Sequence, residues 1–134
     1  MRMSLLHRFR NTAALASIAL PLVALAQGPQ LSQQFDLCMS KADGVTFDMV
    51  ECIGQEVQRQ DARLNKAYKV LMVDLSPERK KQLREAQRAW LQFRDTNCGF
   101  YYDPDGGSIA RVNAESCVMT MTQQRAKELE DLTP

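Results

Sequence analysis

From Met49 to Leu75 the apolar side chains Met49, Ile53, Val57, Leu64, Tyr68, Leu71 and Leu75 recur at intervals of three, four or seven residues. That period puts them on one face of a single long helix. Ser76-Pro77-Glu78 then starts a fresh helix, with a capping hydroxyl, a proline whose fixed φ suits the first helical position and an acid in the first turn. So tight a junction predicts two antiparallel neighbours. The second helix, from Pro77 to about Cys98, carries an apolar stripe of Leu83, Ala86, Trp90 and Phe93 beside the charged pair Arg94-Asp95, and Trp90 is the only tryptophan in the chain.

The remaining segments also read as helix or turn. Leu31 to Lys41 is a short amphipathic helix, Asp43-Gly44 is a turn signal, and Thr46 is placed to cap the long helix. Tyr101-Tyr102-Asp103-Pro104-Asp105-Gly106-Gly107 has the composition of a loop. A last helix carries Ile109, Val112, Met119, Ala126 and Leu129 on neighbouring faces. There is no convincing strand and no internal repeat. The expected fold is all-α, a small disulfide-stapled bundle of about four helices.

The first 26 residues bear on compartment. Arg2, Arg8 and Arg10 precede an apolar run from Thr12 that closes on Ala24-Leu25-Ala26. This is the layout of a secretory signal peptide cut before Gln27. The run is too short, and too broken by Pro21, for a spanning helix of roughly 20 residues. The expectation is a signal peptide over 1–26 and one domain over 27–134, periplasmic or secreted, with no membrane anchor after cleavage. Without the three leader arginines, 14 Lys+Arg face 16 Asp+Glu, a net charge of −2. Near-neutral charge and export both argue against a nucleic-acid partner. Lys80, Arg84 and Arg88 read as a solvated helix face.

Cys38, Cys52, Cys98 and Cys117 are an even set at wide spacing, which in an exported chain predicts two disulfides. A zinc site would show closer cysteine pairs, and none is present. Three connectivities exist. Sequential pairing closes two short loops. Folding the chain back about residue 76 offers a rival, Cys52 with Cys98 and Cys38 with Cys117. The same fold-back puts Leu83 near Tyr68, Gln87 opposite Asn65, Trp90 near Asp61 and Ala62, and Arg94 between Gln58 and Asp61, in reach of an ion pair with Asp61.

Several of these residues form a longer pattern. Cys38 and Cys52 precede Asp61-x-x-Leu64-Asn65-x-x-Tyr68, and then comes Gln87-Arg88-Ala89-Trp90-x-x-Phe93-Arg94-Asp95-x-x-Cys98. Gly106-Gly107-Ser108, Cys117 and Thr122-x-x-Arg125-x-x-x-Leu129 follow. Together they resemble the lysozyme inhibitor LprI family over nearly the whole chain after the leader. The resemblance implies a small secreted helical domain of the bacterial envelope, associated in at least some members with inhibition of lysozyme. It also implies sequential disulfides, one at each end of the helix pair. Some relatives carry a lipid anchor or further domains, and this chain looks like the isolated domain.

Most of the pattern reads as structural. Trp90 at helical spacing with Leu83 and Phe93 is core material, Tyr68 packs with its hydroxyl satisfied, and Arg94 with Asp61 is an interhelical pair. Asp61, Leu64, Asn65, Tyr68, Gln87, Trp90, Arg94 and Asp95 are therefore expected to hold the fold. The segment from Asp103 is similar to a calcium loop only in its acids, because Ser108 stands where the glycine belongs and Ala114 where the glutamate belongs. No metal or cofactor is expected.

The sole histidine, His7, lies in the leader, so histidine-based acid–base or nucleophilic catalysis has no candidate in the mature chain. A carboxylate hydrolase would rely on Glu51, Glu56, Asp61, Glu85 or Asp95, all at ordinary helix-surface spacings. A binding protein is the better class, either a lysozyme inhibitor or a structural, assembly-type envelope protein with another bacterial partner. A lysozyme-type glycosidase works with two carboxylates in a cleft, and a narrow protrusion blocks a cleft better than a convex helix. Phe100 to Ser108 is such a protrusion. It offers Tyr101 and Tyr102 as rigid anchors and Asp103, Asp105 and Ser108 as polar contacts for the basic surface typical of these enzymes.

Overall fold

The computed structural model describes residues 31–133; the expected signal peptide over 1–26 lies outside them. Four helices follow in order, α1 Gln33–Ala42, α2 Thr46–Asp74, α3 Pro77–Phe100 and α4 Gly107–Asp131, with no strand among the described residues. Side-chain caps open two helices, of which only that at Ser76 is anticipated by the sequence. The Ser32 hydroxyl caps α1 by accepting from the Phe35 N–H. Ser76 does the same for α3 with the Arg79 N–H, and Pro77 fills its first turn. Thr46 does not cap α2. Val45 holds that position without a side-chain bond, and the Thr46 hydroxyl donates instead to Ser108 Oγ at 3.3 Å.

The main pairing is α2 with α4, and the two run parallel. Thr46 meets Ser108 at one end, and Arg63 bonds Glu130 at the other with Nε–Oε1 of 2.6 Å. α3 returns antiparallel and leans chiefly on α4. The expectation that α2 and α3 would be each other's main neighbours is corrected accordingly. Small residues explain the choice: Ala110, Ala114 and Ala126 of α4 are buried, as is Ala67 of α2, so these helices approach closely. The fold-back reading survives in part, because Leu83 and Tyr68 pack on one cluster and Arg94 Nη1 reaches Asp61 Oδ1 at 4.0 Å. Gln87 instead accepts from Arg125 Nε at 3.1 Å, and Asn65 stays exposed.

The disulfides are Cys38–Cys52 and Cys98–Cys117, with Cα separations of 5.6 and 5.4 Å. Both lie toward the end of the bundle where Thr46 meets Ser108, rather than one at each end. The opposite end is held by Leu64, Ala67, Ala126 and Leu129, with Tyr68, Leu71, Leu83 and Trp90 packed against them. A second cluster of Ile53, Val112 and Met119, covered by Phe35 and Met39 of α1, fills the disulfide end. Between them along α2 and α4 lie the buried polar residues Glu56, Gln60, Thr122 and Gln123.

Candidate functional site

α3 brings half of the expected signature, Gln87, Trp90, Arg94 and Asp95, to one place. Arg94 lies one turn after Trp90, and its guanidinium carbon is 5.3 Å from the indole centroid. Arg125 of α4 approaches the same ring at 5.9 Å. Arg94 donates to Thr122 Oγ1 at 3.2 Å and to Asp95 Oδ1 at 2.9 Å. Arg125 bonds Gln87 and, at 2.8 Å, Glu128. Two cations thus flank one aromatic ring, each anchored by polar partners, which fixes the angle between α3 and α4. Asp61 is a marginal member, since its side chain is 49% exposed and sits at the limit of ion-pair distance. Ala86 and Phe93 do not join the inward stripe. Both face solvent, Phe93 with 59% of its surface exposed.

Sequence reasoning missed Glu56. It was expected at the surface and is wholly buried. Its carboxylate accepts from the Ser32 N–H at 3.0 Å and hydroxyl at 2.5 Å, from Arg59 Nε at 2.7 Å and from Gln60 Nε2 at 2.6 Å. Burial pushes this carboxyl up, but the bonds from Ser32, Gln60 and Arg59 outweigh it and hold the group below its ordinary value. A carboxylate kept ionised and saturated with donors is a structural staple between the start of α1 and the middle of α2. The available signal was spacing, since Glu56 and Gln60 share a helix face with Ile53 and Leu64.

The turn after α3 carries the residues expected to meet a partner. Tyr101 and Tyr102 end the helix with bonds to the Cys98 and Gly99 carbonyls, and their surfaces are 48% and 58% exposed. The Phe100 ring meets Tyr101 edge to face at 6.0 Å. Asp103 shapes the turn: its carboxylate accepts from the Asp105 N–H at 2.9 Å, and its carbonyl accepts from Gly106. Gly107 has φ +64°, a conformation that disfavours any side chain, and a Cβ at Gly106 would lie 2.9 Å from the Ala110 Cβ. Ser108 lies exposed in the first turn of α4, with its hydroxyl accepting from Thr46. Beneath Tyr102 is an open depression of ≈ 260 Å³ whose lining includes Asp95 and Glu115. The Cys98–Cys117 bridge ties the root of the turn to α4.

Among the described residues, no group of three or more His, Cys, Asp or Glu side chains is placed to hold a metal ion. No helix there is long and apolar enough to cross a membrane. The paired cysteines fit an oxidising compartment.

An uncharacterized protein of Rhizobium meliloti (strain 1021) is similar, 28% identical over 131 residues that cover 87% of this chain and 94% of the relative. No solved structure matches the chain. The family model described as lysozyme inhibitor LprI matches residues 38–129, a span that takes in both disulfides, the Trp90 cluster and the exposed turn. With most of its length and all of its signature inside that match, the chain belongs to the LprI lysozyme-inhibitor family.

Proposed function

We propose that this chain is an exported binding protein, released into the periplasm or beyond by cleavage of a signal peptide over 1–26, and that it inhibits a lysozyme-type peptidoglycan glycosidase. The turn from Phe100 to Ser108 is the contact. One observation carries the assignment: two half-exposed tyrosines and two acids project on a turn whose root is locked by a disulfide. Rigid aromatic anchors bury large area at little entropic cost, and the acids Asp103 and Asp105 suit a basic enzyme surface. A binding role rather than catalysis is supported by Glu56, the wholly buried carboxylate, which is committed to acceptor bonds and held ionised. A general acid needs the opposite shift.

The experiment is inhibition of a panel of lysozymes by the wild-type protein and by the Tyr101→Ala/Tyr102→Ala variant, both shown to be folded by circular dichroism. Loss of two hot-spot anchors is expected to weaken inhibition at least about tenfold. Equal potency of the two proteins removes the turn as the contact. Absence of inhibition by wild type across the panel replaces this reading with that of a structural envelope protein serving another bacterial partner.

A further inference from the structure

Two seams run side by side along α3. One, through Leu83, Gln87, Trp90, Arg94 and Cys98, is turned toward the bundle. The other follows Gln82, Ala86, Ala89, Phe93, Thr96 and Phe100, at intervals of four and three in strict alternation, and all six residues are exposed. This alternation is the a/d repeat by which one helix packs on another, and the seam contains no charged residue. Phe100, 84% exposed, is its most open member.

The order of residues along the seam indicates what covers it. Alanines occupy its first half and phenyl rings its second. A second copy of α3 laid antiparallel sets Phe93 of each copy against Ala89 of the other, large into small on both sides of a twofold axis, and Phe100 against the longer, flexible Gln82. The same register lays Arg79 and Lys81, at the start of α3, over Asp103 and Tyr101 of the second copy, so charge is complementary where the seam ends, while the Lys80 ammonium turns back to the Val73 carbonyl at 3.3 Å. A parallel arrangement instead stacks ring on ring and base on base.

We propose that the protein forms an isologous dimer through this outer seam of α3, with the two helices antiparallel. A strip about 28 Å long and about 10 Å wide is smaller than the roughly 800 Å² per partner of a standard interface. The dimer is therefore weak and dependent on concentration. It engages Asp103 and Tyr101, and so the monomer is the form that leaves the turn free.

Sedimentation velocity of the oxidised protein over a wide concentration series tests this by mass alone, independently of any inhibition. Wild type is expected to shift from monomer to dimer and stop there. Ala89→Arg places bulk and charge at an exposed point in the middle of the seam. It should leave the helix content and melting midpoint unchanged and raise the dissociation constant at least about tenfold. Arg79→Glu should weaken the dimer by reversing the charge laid against Asp103 and by releasing Gln82 of the seam from its 2.8 Å bond with Arg79. A wild type that stays monomeric at its solubility limit overturns the proposal, as does growth beyond two copies. An Ala89→Arg variant that dimerises like wild type also overturns it, and an unaffected Arg79→Glu variant overturns the antiparallel register.

Discussion

Glu56 on α2 and Ser32 at the start of α1 are joined by two hydrogen bonds, from the Ser32 N–H at 3.0 Å and its hydroxyl at 2.5 Å. The same hydroxyl accepts from the Phe35 N–H, so one serine both caps α1 and hands that helix to a buried charge. α1 thus depends on Glu56 being ionised as well as on its own capping and packing.

Glu56→Gln keeps one acceptor oxygen but turns the other into a donor, so two of the four bonds from Ser32, Gln60 and Arg59 are lost along with the charge. The change is expected to cost about 3 kcal/mol near neutral pH. The folded pKa lies below the ordinary 4.5. The associated stability is therefore complete above that value and is lost as pH falls through the lower, folded one. Urea unfolding of wild type and Glu56→Gln at neutral and at acid pH measures this directly. The gap between the two proteins should close on acidification, and a constant gap would show that the ionised carboxylate is not the stabilising species.

Arg94→Ala should destabilise by about 2 kcal/mol, because Arg94 is 14% exposed and loses its place over Trp90 together with its bond to Thr122. Arg94→Lys should recover little of this, since a lysine cannot span ring, hydroxyl and carboxylate at once. Asp61→Ala should change stability by less than about 0.5 kcal/mol, as befits a half-exposed partner at 4.0 Å. Thermal melts of the three variants decide it. An Arg94→Ala protein that melts like wild type yet fails to inhibit lysozyme moves Arg94 from the scaffold into the contact.

α1, α2 and α3 were legible because each carries a 3.6-residue apolar period and α3 opens on a capping serine and a proline, whereas α4 has no single apolar face and was legible only from apolar residues on neighbouring faces. The turn after α3 was legible from Asp, Pro and Gly alone. Sequential disulfides came with the family resemblance, since fold-back about residue 76 argued equally for Cys52–Cys98. That argument failed because α4 enters as the main partner of both long helices, and its inward residues serve two neighbours and so spread over more than one face. The α3 stripe merged two seams one turn apart, Leu83 with Trp90 and Ala86 with Phe93, and only the first is inward. Glu56 was misplaced by the rule that charges are rarely buried, a rule overridden where four donors converge.

Reduction should open one end of the molecule before the other. Each bridge closes a short loop, with sequence separations of 14 and 19, and is worth about 3 kcal/mol on the chain-entropy model. Because both lie near the Thr46–Ser108 contact, Cys98→Ser/Cys117→Ser should raise amide exchange at the end of α3, in the turn and at the start of α4. Exchange around Leu64 and Leu129, at the far end, should rise less. A uniform increase along all four helices would mean that the bundle unfolds only as a whole, and an unchanged melting midpoint would mean that this bridge contributes nothing.

Gly106→Ala probes the turn without altering any side chain that could touch a partner. The new Cβ would stand 2.9 Å from the Ala110 Cβ, too close for a real contact, and 3.1 Å from the Asp103 Cβ, a tight approach that a small shift relieves. Ala110 is held in the first turns of α4, so the turn has to move. Overpacking of this kind costs about 1–3 kcal/mol, and the displacement carries Asp103 and the adjoining tyrosines with it. The variant should therefore melt lower and also inhibit less well than its stability alone predicts. Ala110→Gly in the same chain removes the 2.9 Å clash and should restore most of both, less the cost of a glycine in a helix of about 1 kcal/mol. If Gly106→Ala lowers the melting midpoint but leaves lysozyme inhibition intact at a temperature where the protein is folded, then the position of Tyr101 and Tyr102 does not govern binding, and the contact lies elsewhere on the bundle.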